Sequence, residues 1–64
     1  MSHYLITCSD SSRLLWTGLI EVEGDHTWLV SRNGNRTWHV PSEAIRKVDF
    51  AEYLLGLAEG VKEI

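Results

Sequence analysis

One cysteine, Cys8, and three histidines, His3, His26 and His39, are the side chains that could serve as nucleophile, base or soft metal ligand. A thiol beside an imidazole would give nucleophilic catalysis, and clustered histidines would hold zinc. The histidines are 23 and 13 residues apart, so no pair has the short spacing of a helical or hairpin metal site. A lone strand cysteine is more often a small buried hydrophobe. The sequence therefore predicts no enzyme, no metal and no cofactor.

Four basic side chains indicate a different chemistry, the binding of anions. Two flank the Asn-Gly pair of a predicted hairpin and two lie in or beside a predicted closing strand: Arg32, Arg36, Arg46 and Lys47. The planar fork of arginine suits phosphates and carboxylates, so a fold that brings the four together would create an anion patch. In that patch Tyr4 or His39 would stack on a nucleic-acid base. The alternative is that these charges only solvate and protect a sheet edge.

Leu55 marks a second candidate surface, on the predicted C-terminal helix. It lies off the apolar stripe of that helix, and the small residues Ala51, Gly56 and Gly60 lie nearby. Small residues four positions apart permit the close approach of another helix. This strip predicts self-association or partner docking. The alternative is that Leu55 touches the rim of the barrel and that Gly60 frays the end of the helix.

Period-two alternation predicts the strands that would carry these residues. Residues 3–8 predict a first strand, which the turn residues 9–12 end. Alternate positions are apolar through residues 13–23, which is typical of a half-buried strand. Gly18 interrupts this strand and predicts a sharp bend that lets the strand belong to two sheets. Gly24-Asp25 predicts the next turn.

The third and fourth strands flank Asn33-Gly34, and the hydrophobic pattern favours one register for them. A two-residue turn would place Trp28 opposite His39 and mix apolar with polar side chains on both faces. A three-residue loop, residues 32–34 with the glycine left-handed, would pair Trp28 with Trp38. Register follows the buried face, so we expect the three-residue loop and both tryptophans in the core.

The apolar period changes to 3.6 after a helical turn over residues 41–45 and a closing strand over residues 46–48. This change predicts an amphipathic helix at about residues 49–63. Asp49 and Glu52 start it in a capping-box-like arrangement. The predicted core-facing stripe comprises Phe50, Tyr53, Leu54, Leu57, Ala58 and Val61.

The chain of 64 residues predicts a single domain, residues 1–64, with a small core. We expect it to be too small for a substrate cavity of roughly the usual few hundred Å³. The net charge of -3 comes from residues 49–64, whereas residues 1–48 are neutral, so no global basic excess favours nucleic acid. A single cysteine, no membrane-spanning apolar run and no basic leader predict a cytoplasmic protein.

Two stretches resemble the small β-barrels of the Sm-like and Src-homology-3-like families. The sequence RLLWTGLIEVEGD, residues 13–25, is similar to the first Sm motif, in which a bent strand passes through a glycine and ends near Gly-Asp. The sequence VPSEAIRKV, residues 40–48, is similar to the turn and closing strand of bacterial Hfq proteins. This resemblance implies a five-stranded antiparallel barrel. It also implies RNA binding, here through Arg32, Arg36, Arg46 and Lys47.

A second resemblance is to the C-terminal part of chromodomains. The sequence RTWHVPSEAI, residues 36–45, followed by DFAEYLLGL, residues 49–57, is similar to their Trp-bearing strand and the helix that packs across their sheet. Chromodomains bind methyl-lysine peptides in an aromatic cage. The register expected above places Trp28 and Trp38 in the core rather than in a cage.

The sequence thus predicts a mainly β fold with one C-terminal helix: a small five-stranded antiparallel barrel plus an amphipathic helix. We expect a non-enzymatic interaction module that acts through protein–protein contacts or self-association. The alternative is an Sm-like RNA-binding protein. No small-molecule substrate and no membrane partner are expected. The candidate partner-binding residues are Arg32, Arg36, Arg46, Lys47, His39 and Leu55.

Overall fold

A computed structural model describes all residues, Met1 to Ile64. The strands are β1 (Ser2–Thr7), β2 (Arg13–Glu23), β3 (His26–Val30), β4 (Arg36–Pro41), β5 (Ile45–Val48) and β6 (Lys62–Glu63). A 3-10 helix, Ser42–Ala44, joins β4 to β5, and the single α-helix α1 (Phe50–Ala58) follows β5. The predicted mainly antiparallel β fold with one helix near the C-terminus is confirmed.

The strands form one sheet in the order β4-β3-β2-β1-β5, and β6 pairs in parallel with β2. β4 and β5 are the two edges of this order and are not paired with each other. The prediction of a closed five-stranded barrel is therefore wrong, because the sheet is open and has six strands. On β2, β3 covers only residues 19–23. The edge of β2 that faces β3 is therefore free at Leu14 and Leu15, and β6 pairs with β2 there.

β2 bends at Gly18, as the sequence predicts. The glycine has φ +147°, a conformation that side chains disfavour. Residues 13–18 pair with β1, whereas residues 19–23 pair with β3. The ring of Trp16 lies over the bend, and a Cβ at Gly18 would lie 3.1 Å from Trp16 Cζ2. The bend thus needs glycine both for its backbone angle and for the indole that covers it.

The β3–β4 hairpin has the predicted three-residue loop but not the predicted strand register. The Ser31 amide donates to the Asn35 carbonyl and Gly34 is left-handed at φ +86°, so residues 32–34 form the loop. Val30 then pairs with residue 36, but a bulge at Thr37 makes Trp28 pair with His39. The predicted Trp28–Trp38 pair is wrong, because this extra residue shifts the register by one. Thr37 Oγ1 donates to the Leu29 carbonyl at 2.9 Å and so stabilises the bulge.

The two tryptophans consequently lie on opposite faces of the hairpin, and the expectation that both are in the core is wrong. Trp38 lies opposite Leu29 but is 54% exposed, because β4 is an open edge. Trp28 is half-buried on the other face, opposite Glu21.

The core consists of two small groups of buried side chains on opposite faces of the sheet. On the face that α1 covers, the buried side chains of Leu15, Val48 and Tyr53 pack together, with Leu5 and Val61 partly buried against them. On the other face Ile6, Thr27 and Leu29 are each 1% exposed. The hydroxyl of Thr27 is satisfied by Ser42 Oγ at 2.8 Å, which ties β3 to the 3-10 helix.

α1 is shorter than the helix predicted at 49–63. It begins as predicted, because Asp49 Oδ1 accepts a hydrogen bond from the Glu52 amide at 2.8 Å. It ends at Ala58 because Gly60 turns left-handed at φ +85°. The amides of Gly60 and Val61 donate to the carbonyls of Leu57 and Gly56, the paired bonds of a Schellman motif. The remaining residues return to the sheet as β6.

Candidate functional site

Tyr53 and Gly56 are the residues through which α1 packs on the sheet. Both are buried, and they lie three positions apart on one side of the helix. A Cβ at Gly56 would lie 3.2 Å from Leu15 Cδ1, so the glycine lets α1 approach β2 closely. The His3 ring packs beside this contact, with its centroid 4.6 Å from that of Tyr53 and 5.4 Å from that of Phe50.

Outside this contact, α1 presents a broad solvent-exposed surface made of apolar side chains. Phe50 is 59% exposed, Leu54 47%, Leu55 58% and Leu57 39%. The alanines between them are also exposed, and we name the whole set the helix strip: Phe50, Ala51, Leu54, Leu55, Leu57 and Ala58. Soluble proteins usually turn such a face inward, so this strip is the most unusual surface of the molecule.

Most of the predicted core-facing stripe therefore belongs to the solvent-facing surface. Of its members, only Tyr53 is buried and only Val61 is partly buried, and the prediction is wrong for Phe50, Leu54, Leu57 and Ala58. The physical reason is Gly56: because it has no side chain, α1 packs closest to β2 on the side that carries Tyr53 and Gly56. Leu55, a predicted partner-binding residue, is exposed on the strip.

Two ion pairs neutralise the acidic border of the helix strip. Glu52 and Glu59 lie seven positions apart on α1 and at its end, along the side next to Leu55. Arg46 Nη1 donates to Glu52 Oε1 at 3.3 Å, and Arg13 Nη2 donates to Glu59 Oε1 at 3.3 Å. The hydrogen bonds and charge of Glu52 raise the pKa of Arg46 above its ordinary value. The carboxylates beside the strip are thus paired within the chain.

The predicted basic residues lie on two opposite edge regions of the sheet. Arg32 and Arg36 lie at the loop end of the β3–β4 hairpin, and Arg46 and Lys47 lie on β5. Arg36 and Arg46 hold carboxylates of their own chain, whereas Arg32 and Lys47 have none within 4.0 Å. The structure therefore leaves two of the four free to meet an anion without first breaking an ion pair.

Arg36 and His39 belong to a cluster on the exposed face of the hairpin. Arg36 donates to Glu21 and, at 3.1 Å, to Glu23 Oε2, and its guanidinium carbon lies 4.8 Å from the Trp28 ring centroid. The hydrogen bond that Arg36 donates to Glu21 is the main cause that raises the pKa of Arg36. The His39 ring is 4.8 Å from that of Trp28. The alternation of β2 and β3 predicts this face, but the bulge at Thr37 that brings His39 over Trp28 has no sequence signal.

A cleft of about 770 Å³ opens beside the bend of β2. Its walls include Tyr4, Trp16, Leu19 and Val30, and Arg32 has the only charged side chain in its lining. The expectation that so short a chain has no cavity of this size is wrong. Because β2 bends at Gly18 and the sheet does not close, a recess remains between the start of β1 and the end of β3.

Neither a hydrogen-bonded thiol–histidine pair nor a three-ligand metal cluster is present among the side chains. The Cys8 side chain makes no hydrogen bond to a histidine, and its backbone forms a turn with Ser11 and Ser12. No three side chains of His, Cys, Asp or Glu lie where they could hold a metal ion together. With nine residues, α1 is too short to cross a membrane.

Comparison with protein-family models, with curated proteins and with solved structures finds no match to this chain. The resemblances to Sm-like, Src-homology-3-like and chromodomain sequences stay predictions. Function is accordingly inferred from the helix strip, its paired border and the cleft.

Proposed function

We propose that this protein is a non-enzymatic interaction module that associates through the helix strip with a second copy of itself. The observation that carries the proposal is the solvent-facing side of α1, where Phe50, Leu54, Leu55 and Leu57 are all at least 39% exposed. Exposed apolar surface is removed from water most simply by another apolar surface. Two copies of the strip supply such a surface to each other around a two-fold axis.

The paired border of the strip supports a second copy as the occupant. The net charge of -3 opposes the association of two copies, and four of the acidic residues lie in residues 49–64, beside or near the strip. Arg46 on Glu52 and Arg13 on Glu59 remove the negative charge beside Leu55. Because the border of the strip is locally neutral, it does not attract a strongly charged partner. Two copies of the strip can approach each other without like-charge repulsion at this border.

The size of the strip predicts that this association is weak. The exposed fractions of its side chains correspond to roughly 400 Å² per copy, about half of what one partner contributes to a standard interface. The ordering of two molecules opposes binding, so an interface of this size gives a concentration-dependent equilibrium rather than a permanent dimer. We expect monomer and dimer to exchange rapidly.

The open sheet edges support a docking role less well than the helix strip does. The β5 edge carries Arg46 and Lys47, and the β4 edge ends in Pro41. Charged side chains and proline are the features that protect edge strands from pairing with other strands. The strip has no comparable protection.

RNA binding by the basic residues is the alternative function, and the geometry favours it less. Arg36 and Arg46 would have to exchange Glu21, Glu23 and Glu52 for phosphates. Binding that weakens steeply with salt and falls on Arg32→Glu substitution would support this alternative.

Sedimentation velocity over a concentration series tests the proposal. We expect the weight-average mass to rise from the monomer value of 7.3 kDa toward that of a dimer. Leu54→Lys and Leu55→Lys place a charge on the strip and should hold the protein at the monomer mass. Val22→Lys is the matched control, because Val22 is 65% exposed on β2 and lies outside the strip.

A monomer mass at every concentration would contradict the proposal. So would a dimer that both leucine variants retain, or one that Val22→Lys disrupts equally. If a different protein binds through the strip and the chain itself stays monomeric, the strip is an interaction surface but self-association is wrong.

A further inference from the structure

We propose that the cleft beside the bend of β2 binds a small aromatic anion, with the rings against Trp16 and Tyr4 and the negative group on Arg32. The cleft of about 770 Å³ is within the size range of sites that hold small organic ligands. Six of its 11 lining residues are hydrophobic. This inference concerns a different surface from the helix strip and does not depend on self-association.

The pairing of the arginines indicates the charge of the ligand. Arg13, Arg36 and Arg46 each hold at least one carboxylate of the chain. Arg32 is the one arginine without a carboxylate within 4.0 Å, and it is the one that lines the cleft. A free guanidinium offers five N–H donors in a planar fork, so a carboxylate, sulfonate or phosphate is its natural partner.

The aromatic wall of the cleft is held in place before any ligand binds. Trp16 Nε1 donates to the Leu19 carbonyl at 3.1 Å, which fixes the indole across the bend. The indole carbons also lie over Gly18, where a side chain would displace them. A wall that is already ordered loses little entropy when a flat ring system packs on it.

The remaining polar groups of the lining include no carboxylate that would compete for Arg32. They are the hydroxyl-bearing residues Ser2, Tyr4, Thr17 and Ser31, together with Met1, which carries the α-ammonium group. The Ser31 hydroxyl already donates to Asn33 Oδ1. A guanidinium in a lining without carboxylates matches a carboxylate or sulfonate on an apolar ring system.

Two dyes with the same ring system separate the aromatic contribution from the charge. 1-Anilinonaphthalene-8-sulfonate carries one sulfonate, and N-phenyl-1-naphthylamine lacks it. We expect the sulfonate dye to bind the full chain, with amide NMR shifts concentrated at residues 16–20 and 30–32. Arg32→Met should weaken its binding about five- to tenfold, since hydrogen bonds to charged groups are the strong ones. The same substitution should change binding of the neutral dye less than about twofold.

Two further variants keep this test specific. Lys62→Met removes another cation without a carboxylate partner, on β6 and outside the cleft, and should leave the binding of both dyes unchanged. Arg32→Lys keeps the charge and should retain most of the binding of the sulfonate dye.

Three results would overturn the inference. One is shifts confined to residues 50–58, which would place the dye on the helix strip. Another is an equal loss for both dyes in Arg32→Met. The third is no binding of the sulfonate dye by the unmodified chain.

Discussion

A single glycine, Gly56, determines which side of α1 is buried against the sheet. Helix propensity alone predicts that Gly56 lowers the stability of α1, because glycine destabilises a helix interior by about 1 kcal/mol relative to alanine. In the structure it is the point where α1 touches Leu15. That contact depends on a tertiary approach that no local pattern encodes. Asp49 was predictable for the opposite reason, since its capping partner, the Glu52 amide, lies three residues away.

Gly18→Ala should destabilise the protein more than Gly24→Ala. At Gly18 the new Cβ meets Trp16 Cζ2 at 3.1 Å and φ is +147°, whereas at Gly24 φ is +62° and nothing lies within 4 Å. We expect a loss of about 2–3 kcal/mol for Gly18→Ala and about 1 kcal/mol for Gly24→Ala in the free energy of unfolding. Urea denaturation measures both. Equal losses would show that neither the indole nor the unusual angle constrains the bend.

Ser12→Ala should raise the pKa of Asp10. The side-chain hydrogen bond from Ser12, followed by its backbone hydrogen bond, lowers the pKa of this carboxyl. A lowered pKa in the folded state favours folding above the unfolded pKa, and this contribution is lost as the pH falls through the folded pKa. Carboxyl ¹³C shifts titrated over roughly pH 2–6 measure the pKa. Ser9→Ala is the control, and a pKa that moves equally in both variants would contradict the assignment.

The buried side of a strand or helix can be predicted from the sequence when the other side is polar. It cannot be predicted when both sides are apolar. The alternation of β2 has a polar outer side, so residues 13–23 and the bend at Gly18 were predictable. α1 is apolar on nearly every side, so its 3.6-residue period predicts a helix but not which side meets the sheet. The loop of the β3–β4 hairpin was predictable from Gly34, whereas the bulge at Thr37 was not.

Asp49→Ala should reduce the stability of α1 and, through it, of the fold. The substitution removes the acceptor for the Glu52 amide, and such N-cap losses cost about 1 kcal/mol. Thermal unfolding followed by circular dichroism should show a lower midpoint. Asp25→Ala is the control, since Asp25 is in an exposed turn and caps no helix. An unchanged midpoint in Asp49→Ala would mean that the cap does not stabilise α1.

Acrylamide quenching of tryptophan fluorescence tests the hairpin register. Trp38 is 54% exposed, whereas Trp16 and Trp28 are half-buried. Trp38→Phe should therefore remove more of the readily quenched emission than Trp28→Phe does. The predicted Trp28–Trp38 pair would protect both indoles alike, so indistinguishable quenching in the two variants would contradict the bulge.

The whole molecule is an open, bent sheet with one helix on part of one face, and its surfaces differ sharply in character. Charges on the hairpin and beside α1 are largely paired within the chain, whereas most of the helix strip and the cleft remain exposed to solvent. The sequence predicted a candidate contact at Leu55, but the extent of the strip follows only from how α1 packs. Closure of the barrel was not predictable, because it depends on whether β4 reaches β5 across the fold.

Amide NMR spectra recorded over a dilution series test the association through the helix strip most directly. We predict that resonances of residues 50–58 shift continuously with protein concentration, while those of β3 and the β3–β4 loop stay fixed. In Leu54→Lys these shifts should disappear, since the charge prevents burial of the strip. Spectra that do not change with concentration, or changes confined to β4 around Trp38, would contradict the account.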